Sequence, residues 1–441
     1  MSVKSAVRSA VVPPCRLAAV AVAAFAAFAA PAAGQADAHL ARAKALLREV
    51  PLIDGHNDLP WEMRHRGWLS FDSLDIAGSH PEIMTDVARL RAGMVGAQFW
   101  STYSPSTLSS GGAARIGMEA GDIVHRMVAR YPDVFEMAST ADDIVRIHRA
   151  GKIASMLGLE GGHMIENSLG LLRAFYRDGV RYLTLTHSLN TDWADASTDV
   201  QRHGGLTRFG EEVVREMNRL GMLVDLSHVS DSTMWDALRV SEAPVIYSHS
   251  SSRHFAPHPR NVPDDVARAV GEHGGVIMVT FVPSFVHLPT YEYAERHDTL
   301  ERRLYAVLRD SAAVRDSLEV WRAANPIPLP GLGVIADHIE HLRDVAGVDH
   351  VGLGSDFDGI SSTPVGLEDV STFPALLAEL IRRGWSDGDV KRVAGLNVLR
   401  VMREAERVAA RLQRERPPSA AQIEIMDGWS TAPRMYGPGG Q

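Results

Sequence analysis

Four histidines and three carboxylates are the side chains in this sequence best placed to do chemistry. His56 and Asp58 lie in Asp54-Gly55-His56-Asn57-Asp58, Glu160 opens Glu160-Gly161-Gly162-His163, and His187, His228, His249 and Asp356 follow singly. In extended chain, residues two apart project to the same side, so His56 and Asp58 can face one ion together. Imidazole nitrogen combined with carboxylate oxygen suits borderline-soft divalent ions, zinc above all. The set is too large for one catalytic zinc that keeps an open position, so two ions are expected. A bridging carboxylate would hold them about 3.5–4 Å apart with a shared hydroxide between them. Glu160 is the expected bridge. The spacing alone does not say whether His187 and Asp356 are ligands or catalysts.

One histidine at the end of a strand is more often a hydrogen-bonded structural group than a ligand. The weight here comes from joint position, because chance would scatter such residues over both strand ends and helix faces. Eight short apolar runs, at 51–53, 93–100, 153–159, 180–186, 222–226, 245–247, 276–281 and 350–353, have the length and composition of strands buried on both faces. Amphipathic stretches such as 170–177, 206–220 and 263–272 lie between most of them. This alternation predicts an α/β fold, a (β/α)8 TIM-like barrel. The seven side chains then ring the C-terminal mouth of the barrel, where such folds place their active sites. His65, His80, His125, His148, His338 and His341 lack that position and read as surface or packing residues.

Other architectures and chemistries fit poorly. Gly331-Leu-Gly333-Val-Ile-Ala336 superficially offers a phosphate-binding turn, but Pro326-Ile-Pro328-Leu-Pro330 before it cannot be a central strand. The chain has no Gly-x-Ser-x-Gly elbow and no His-Glu-x-x-His helix. Its single cysteine, Cys15, precedes an apolar run from Leu17 to Ala30 that follows Lys4, Arg8 and Arg16 and ends near Ala30-Pro31-Ala32. That layout predicts a signal peptide over residues 1–36, which would take Cys15 with it and leave no disulfide or thiolate site. Residues 37–416 are then one hydrolase barrel and 417–441 a C-terminal tail that orders only where it docks. A charged, helix-prone insertion at about 285–330, with Tyr291, Tyr293, Tyr305 and Trp321, is expected to be a solvated excursion, a lid or a subunit contact. The formal net charge of −9 argues against nucleic acid or an anionic membrane surface as the main partner.

At these residues the sequence resembles the membrane (renal) dipeptidase family, peptidase family M19, of the amidohydrolase superfamily. The matching stretches include Asp54-Gly-His-Asn-Asp-Leu-Pro60, Leu159-Glu-Gly-Gly-His163, Arg181-Tyr-Leu-Thr-Leu-Thr-His187, Trp193-Ala-Asp195, Val224-Asp-Leu-Ser-His228, Pro244-Val-Ile-Tyr-Ser-His249, Arg260-Asn-Val-Pro-Asp-Asp265 and Gly354-Ser-Asp-Phe-Asp-Gly359. They run in the family's order from about residue 48 to about 410. The resemblance implies two Zn2+ per chain, one held by His56, Asp58 and Glu160 and the other by Glu160, His228 and His249. It implies that His187 polarises the scissile carbonyl, Arg260 holds the substrate's terminal carboxylate and Asp356 handles the proton. The implied activity is hydrolysis of dipeptides, L-L and L-D, through the metal-bridging hydroxide, by a homodimer. The chain departs from animal members in lacking their cysteines and a C-terminal hydrophobic anchor signal, so the expected form is an exported periplasmic or secreted enzyme with no stable membrane anchor. Two alternatives stay open: an amidohydrolase of N-acyl amino acids or lactams, and a non-catalytic periplasmic peptide- or metal-binding protein.

Overall fold

Strands rich in Val, Ile, Leu and Met, buried on both faces, have no solvent edge to spare, and closing the sheet on itself removes the edges. The computed structural model describes residues 38–108 and 112–428; the N-terminal segment with Cys15 and the Gly-rich residues 429–441 lie outside the described residues. Eight parallel strands form the ring: β1 (Leu52–Asn57), β2 (Val95–Tyr103), β4 (Ile153–Glu160), β5 (Val180–Thr184), β6 (Leu223–Asp225), β7 (Ile246–Tyr247), β8 (Val276–Val279) and β9 (Val351–Leu353). They are ordered β2-β1-β9-β8-β7-β6-β5-β4, and pairing of β2 with β4 closes the barrel. Each coincides with one of the eight apolar runs. β2 continues to Tyr103, beyond its run, because the buried hydroxyls of Ser101 and Thr102 find acceptors in Glu160 Oε2 at 3.1 Å and Gly158 O at 2.9 Å.

A ninth strand, β3 (Phe135–Met137), was not expected. It pairs with β4 at Ile153–Ser155, below the point where β5 begins opposite Leu157. Three residues, Phe-Glu-Met, are too few to show a period, so only the open edge of β4 explains it.

The helices start and stop where their side chains dictate. Helix α1 (Leu169–Asp178) begins at Ser168, whose hydroxyl accepts from Leu171 N–H, and ends at Gly179 with φ 116°. Helix α2 (Arg208–Leu220) repeats the scheme with Thr207 and Gly221, and buries Phe209, Val213, Met217 and Leu220 against the sheet side. Inside the ring, Ile53, Ala97, Phe99, Met156, Tyr182, Ile246 and Met278 pack as one cluster with Val398 and Met402 from a late helix (Asn397–Glu415). This packed floor leaves only the C-terminal mouth for a site.

After β8 come helices α3 (Leu288–Leu308) and α4 (Ser311–Ala324), joined by the Tyr293 and Trp321 rings at 5.0 Å. The turn at Gly331 and Gly333 follows a segment that belongs to no strand of the sheet and opens a helix (Gly333–Ala346). Beyond Arg416 the described part of the tail docks on α2: Ser419 N–H donates to Glu216 at 3.1 Å, and Asp427 accepts from Thr207 at 2.6 Å. No helix among the described residues is long and apolar enough to cross a membrane.

Candidate metal centre and substrate cavity

The seven side chains arrive at the mouth because six of the eight strands, or the few residues after them, carry them. His56 lies on β1 with Asp58 just past its end, Glu160 closes β4, and His187, His228, His249 and Asp356 stand two or three residues beyond β5, β6, β7 and β9. Glu160 is central. Its Oε1 lies 3.1 Å from His228 Nε2, 3.5 Å from His249 Nε2 and 3.6 Å from His187 Nε2, while its Oε2 lies 3.5 Å from His56 Nε2. Asp58 Oδ2 is 3.2 Å from His56 Nε2. The donor atoms of His56, Glu160 and His249 fall within 4.8 Å of one another, as do those of Glu160, His187 and His228 and those of His56, Asp58 and Asp356. His163, next to Glu160 in sequence, points elsewhere, to Ser104 O at 3.1 Å.

Hydrogen bonds behind the ring set which nitrogen is bare in His56 and in His249. The Tyr182 hydroxyl donates to Gly55 O at 3.2 Å, so it accepts from His56 Nδ1–H at 2.8 Å. His56 Nε2 is then a lone pair, buried and without a hydrogen-bond partner. Asp225 accepts from Ser227 N–H, Ser248 N–H, Thr184 Oγ1–H and Ser248 Oγ–H, which commits the only Ser248 hydroxyl proton. His249 Nδ1–H therefore donates to Ser248 Oγ at 2.8 Å, and its Nε2 lone pair faces His228 Nε2 at 3.0 Å. The His56 and His249 lone pairs are aimed at the carboxylates of Asp58 and Glu160, an arrangement that repels unless something cationic lies between them. The set thus fits divalent ions, with the orienting partners that metal-binding histidines normally have.

The electrostatics of His228, His249 and Glu160 agree with that chemistry. At His56, by contrast, burial is overcome by Tyr182, Glu160 and Asp58, which hold it well above the usual imidazole range and favour a cation where an ion would otherwise sit. Burial, then the Arg260 cation and His187, push His228 well below the usual imidazole range; burial, then His56 and Arg260, do the same to His249. Both are neutral, as ligand imidazoles must be. Burial alone would push Glu160 up, but His56, His187 and His228 around it hold it well below the carboxylate range. Asp356 goes the other way: burial first, and then Asp58 and Glu160, raise it against the opposing pull of His56 and Arg260. His228 and Asp356 also hold φ at 72° and 69°, left-handed conformations that cost of order 1–3 kcal/mol each and gather at functional sites.

The ring forms the floor of a cavity of about 840 Å3. Trp61 and Tyr103 line one side, with rings 4.8 Å apart and edge-on, and Tyr103 also meets His187 at 4.9 Å. Arg260 enters from the loop after β7, over the Phe285 ring at 5.3 Å. It is 4% exposed and is held only by long bonds to Ser250 Oγ at 3.3 Å and His249 O at 3.4 Å. Burial lowers it to about 10, still cationic at neutral pH. No carboxylate among the described residues lies within salt-bridge distance of it. Residues of α3 and α4 complete the rim.

Sequence reasoning missed the partners behind the ring: Tyr182, Asp225, Ser248 and Ser101. One signal was there. A tyrosine inside a run buried on both faces needs a partner for its hydroxyl, and Tyr182 alternates in register with Thr184.

Comparison with known proteins bears on all of this. The family model for membrane dipeptidase (Peptidase family M19) matches residues 40–416. Dipeptidase verJ of Clonostachys rogersoniana is 41% identical over 393 residues, covering 86% of this chain and 90% of its own. Dipeptidase 3 of Rattus norvegicus is 38% identical over 392 residues, covering 87% and 70%. Among solved structures, the probable dipeptidase PvdM from Pseudomonas aeruginosa matches with TM-score 0.75 at 23% identity, covering 85% of this chain and 100% of that one. A metallopeptidase from Rhodobacter sphaeroides, described as liganded with a phosphinate mimic of the dipeptide L-Ala-D-Ala, matches with TM-score 0.65 at 22% identity, covering 81% and 99%. At those identities the structural matches speak for the barrel alone.

Proposed function

The chain belongs to the membrane dipeptidase family, peptidase family M19, and from that premise we propose that it cleaves the peptide bond of L-L and L-D dipeptides at a centre of two zinc ions. His56, Asp58 and Glu160 would hold one ion and Glu160, His228 and His249 the other, with Glu160 shared. When bound, the ions supply Lewis acidity and a water acidic enough to act as nucleophile near neutral pH. The chain's own residues do the rest. Arg260 binds the substrate's terminal carboxylate through its two-pronged guanidinium, which limits the substrate to one residue beyond the cleaved bond. His187, neutral because burial lowers it, donates from Nε2–H to the carbonyl oxygen as negative charge develops there, while Ser188 Oγ, 2.9 Å away, serves its Nδ1. Asp356 takes the proton released on attack and returns it to the departing amine.

The observation that carries this reading is Arg260. A buried guanidinium without a carboxylate is costly unless an anion completes it, and this one faces the ring across the cavity. Replacing it with Gln is expected to raise KM for dipeptides with a free carboxylate by about 10- to 100-fold, the range of a charge-assisted hydrogen-bonded pair. Amidated dipeptides should be poor substrates of the unaltered protein. Equal cleavage of free and amidated dipeptides would remove Arg260 from this role.

The partners behind the ring give a second expectation. A methyl group at Gly158 would overlap the Tyr182 ring, displacing the hydroxyl that orients His56. Gly158→Ala is therefore expected to weaken zinc binding by about 10- to 100-fold, the usual effect of losing an orienting partner. Competition with a chelator measures this; unchanged affinity would contradict the assignment. The basic and apolar N-terminal segment supports export to the periplasm or medium, and the family resemblance supports a homodimer.

A further inference from the structure

Helix α3 places Thr290, Tyr293, Ala294, His297 and Asp298 on the cavity wall. The spacing of three, one, three and one is the stripe of a single helical face. This face is therefore turned to the cavity along two turns, not touching it by accident at one residue. Its character changes along its length: Thr290, Tyr293 and Ala294 come first, then His297 and Asp298. Arg322 from α4 joins the charged end, donating from Nη1 to His297 Nε2 at 3.3 Å, while His297 Nδ1–H points to Asp298 Oδ1 at 3.4 Å. Asp298 is thus directed to His297. No carboxylate among the described residues lies within salt-bridge distance of Arg322, and one of its five N–H groups is used by His297.

We propose that Arg322, steadied by His297, forms a side-chain subsite that selects dipeptides with an acidic C-terminal residue. The inference rests on the dipeptidase reading and on Arg260 as the anchor of the terminal carboxylate. Arg260 lies over Phe285, at the root of α3. A C-terminal residue anchored there is the one next to the α3 face, and its side chain runs past Tyr293 toward the charged end. A short side chain leaves Arg322 in water. A glutamate side chain reaches it and meets N–H donors that no carboxylate among the described residues occupies.

The test compares kcat/KM for Ala-Glu, Ala-Ala, Ala-Lys and Glu-Ala in the zinc-loaded protein. The unaltered protein is expected to favour Ala-Glu over Ala-Lys, chiefly through KM. Arg322→Ala should lower the ratio of Ala-Glu to Ala-Ala by about fivefold, the size expected of one partly solvated ion pair. Arg322→Lys should keep part of that ratio, and Arg322→Glu should reverse the order in favour of Ala-Lys. Arg322 is exposed on α4, so these variants are expected to fold, and thermal melts check that. An unchanged ratio in Arg322→Ala, or a preference that appears with Glu-Ala and not Ala-Glu, would overturn the subsite. Failure of the unaltered protein to cleave any of the four would instead sink the dipeptidase reading beneath it.

Discussion

Glu160→Ala is expected to lose both metal ions and all measurable hydrolysis. No other side chain in the ring touches so much of it: four imidazole nitrogens lie 3.1–3.6 Å from its two oxygens. Removing it takes away the shared ligand and also the negative charge that gathers the histidines. The remaining donors split into two sets, each short of the number a zinc site needs. Metal analysis of the purified variant reads the first effect and a dipeptide assay the second. Glu160 is the last residue of β4, paired with Tyr103 of β2 and Thr184 of β5 through backbone that alanine keeps, so a cooperative melt is expected to survive. Two ions per chain with full turnover in Glu160→Ala would end the account of Glu160 as the bridge.

Asp356→Asn should separate catalysis from metal binding. The amide keeps the size of the side chain and removes its ability to carry a proton. Loss of a general acid–base typically costs 10²- to 10⁴-fold in rate, and we expect a fall in kcat within that range with the metal content kept. The protein's geometry supports the role. Asp356 shares its neighbourhood with Asp58 and His56 but is raised by burial and by the two nearby carboxylates, as a group that must hold a proton part of the time requires. Gly359 lets Asp58 and Asp356 approach each other, since a methyl there would meet both carboxylates. If kcat is kept and metal is lost, Asp356 is a ligand, and the proton carrier lies elsewhere.

The barrel was legible in the sequence because strands buried on both faces leave continuous apolar runs, and because His56, Glu160, His187, His228, His249 and Asp356 all follow such runs at short distance. What stayed hidden has physical reasons. β3 is three residues held by an open edge of β4, a tertiary cause with no local pattern. Tyr182, Asp225 and Ser248 act through hydrogen bonds between residues far apart in sequence, and spacing does not report those. The α3 face was legible only in part: a lid was one of three readings of the charged segment at about 285–330, beside a solvated excursion and a subunit contact, and only the turn of the chain after β8 brings one of its stripes over the cavity. Arg260 shows the limit most clearly. As one arginine among many it carries no local signal, and its weight comes from being buried with no carboxylate beside it.

The account's central claim is a dipeptidase that depends on zinc held by this ring. Its most direct test is hydrolysis of a small panel of L-L and L-D dipeptides, including L-Ala-L-Ala and L-Ala-D-Ala, by metal-stripped protein before and after zinc is added. The account predicts no cleavage by the stripped protein and cleavage restored as zinc approaches two equivalents per chain. Cleavage that persists without metal, or none with two zinc ions bound, would contradict it.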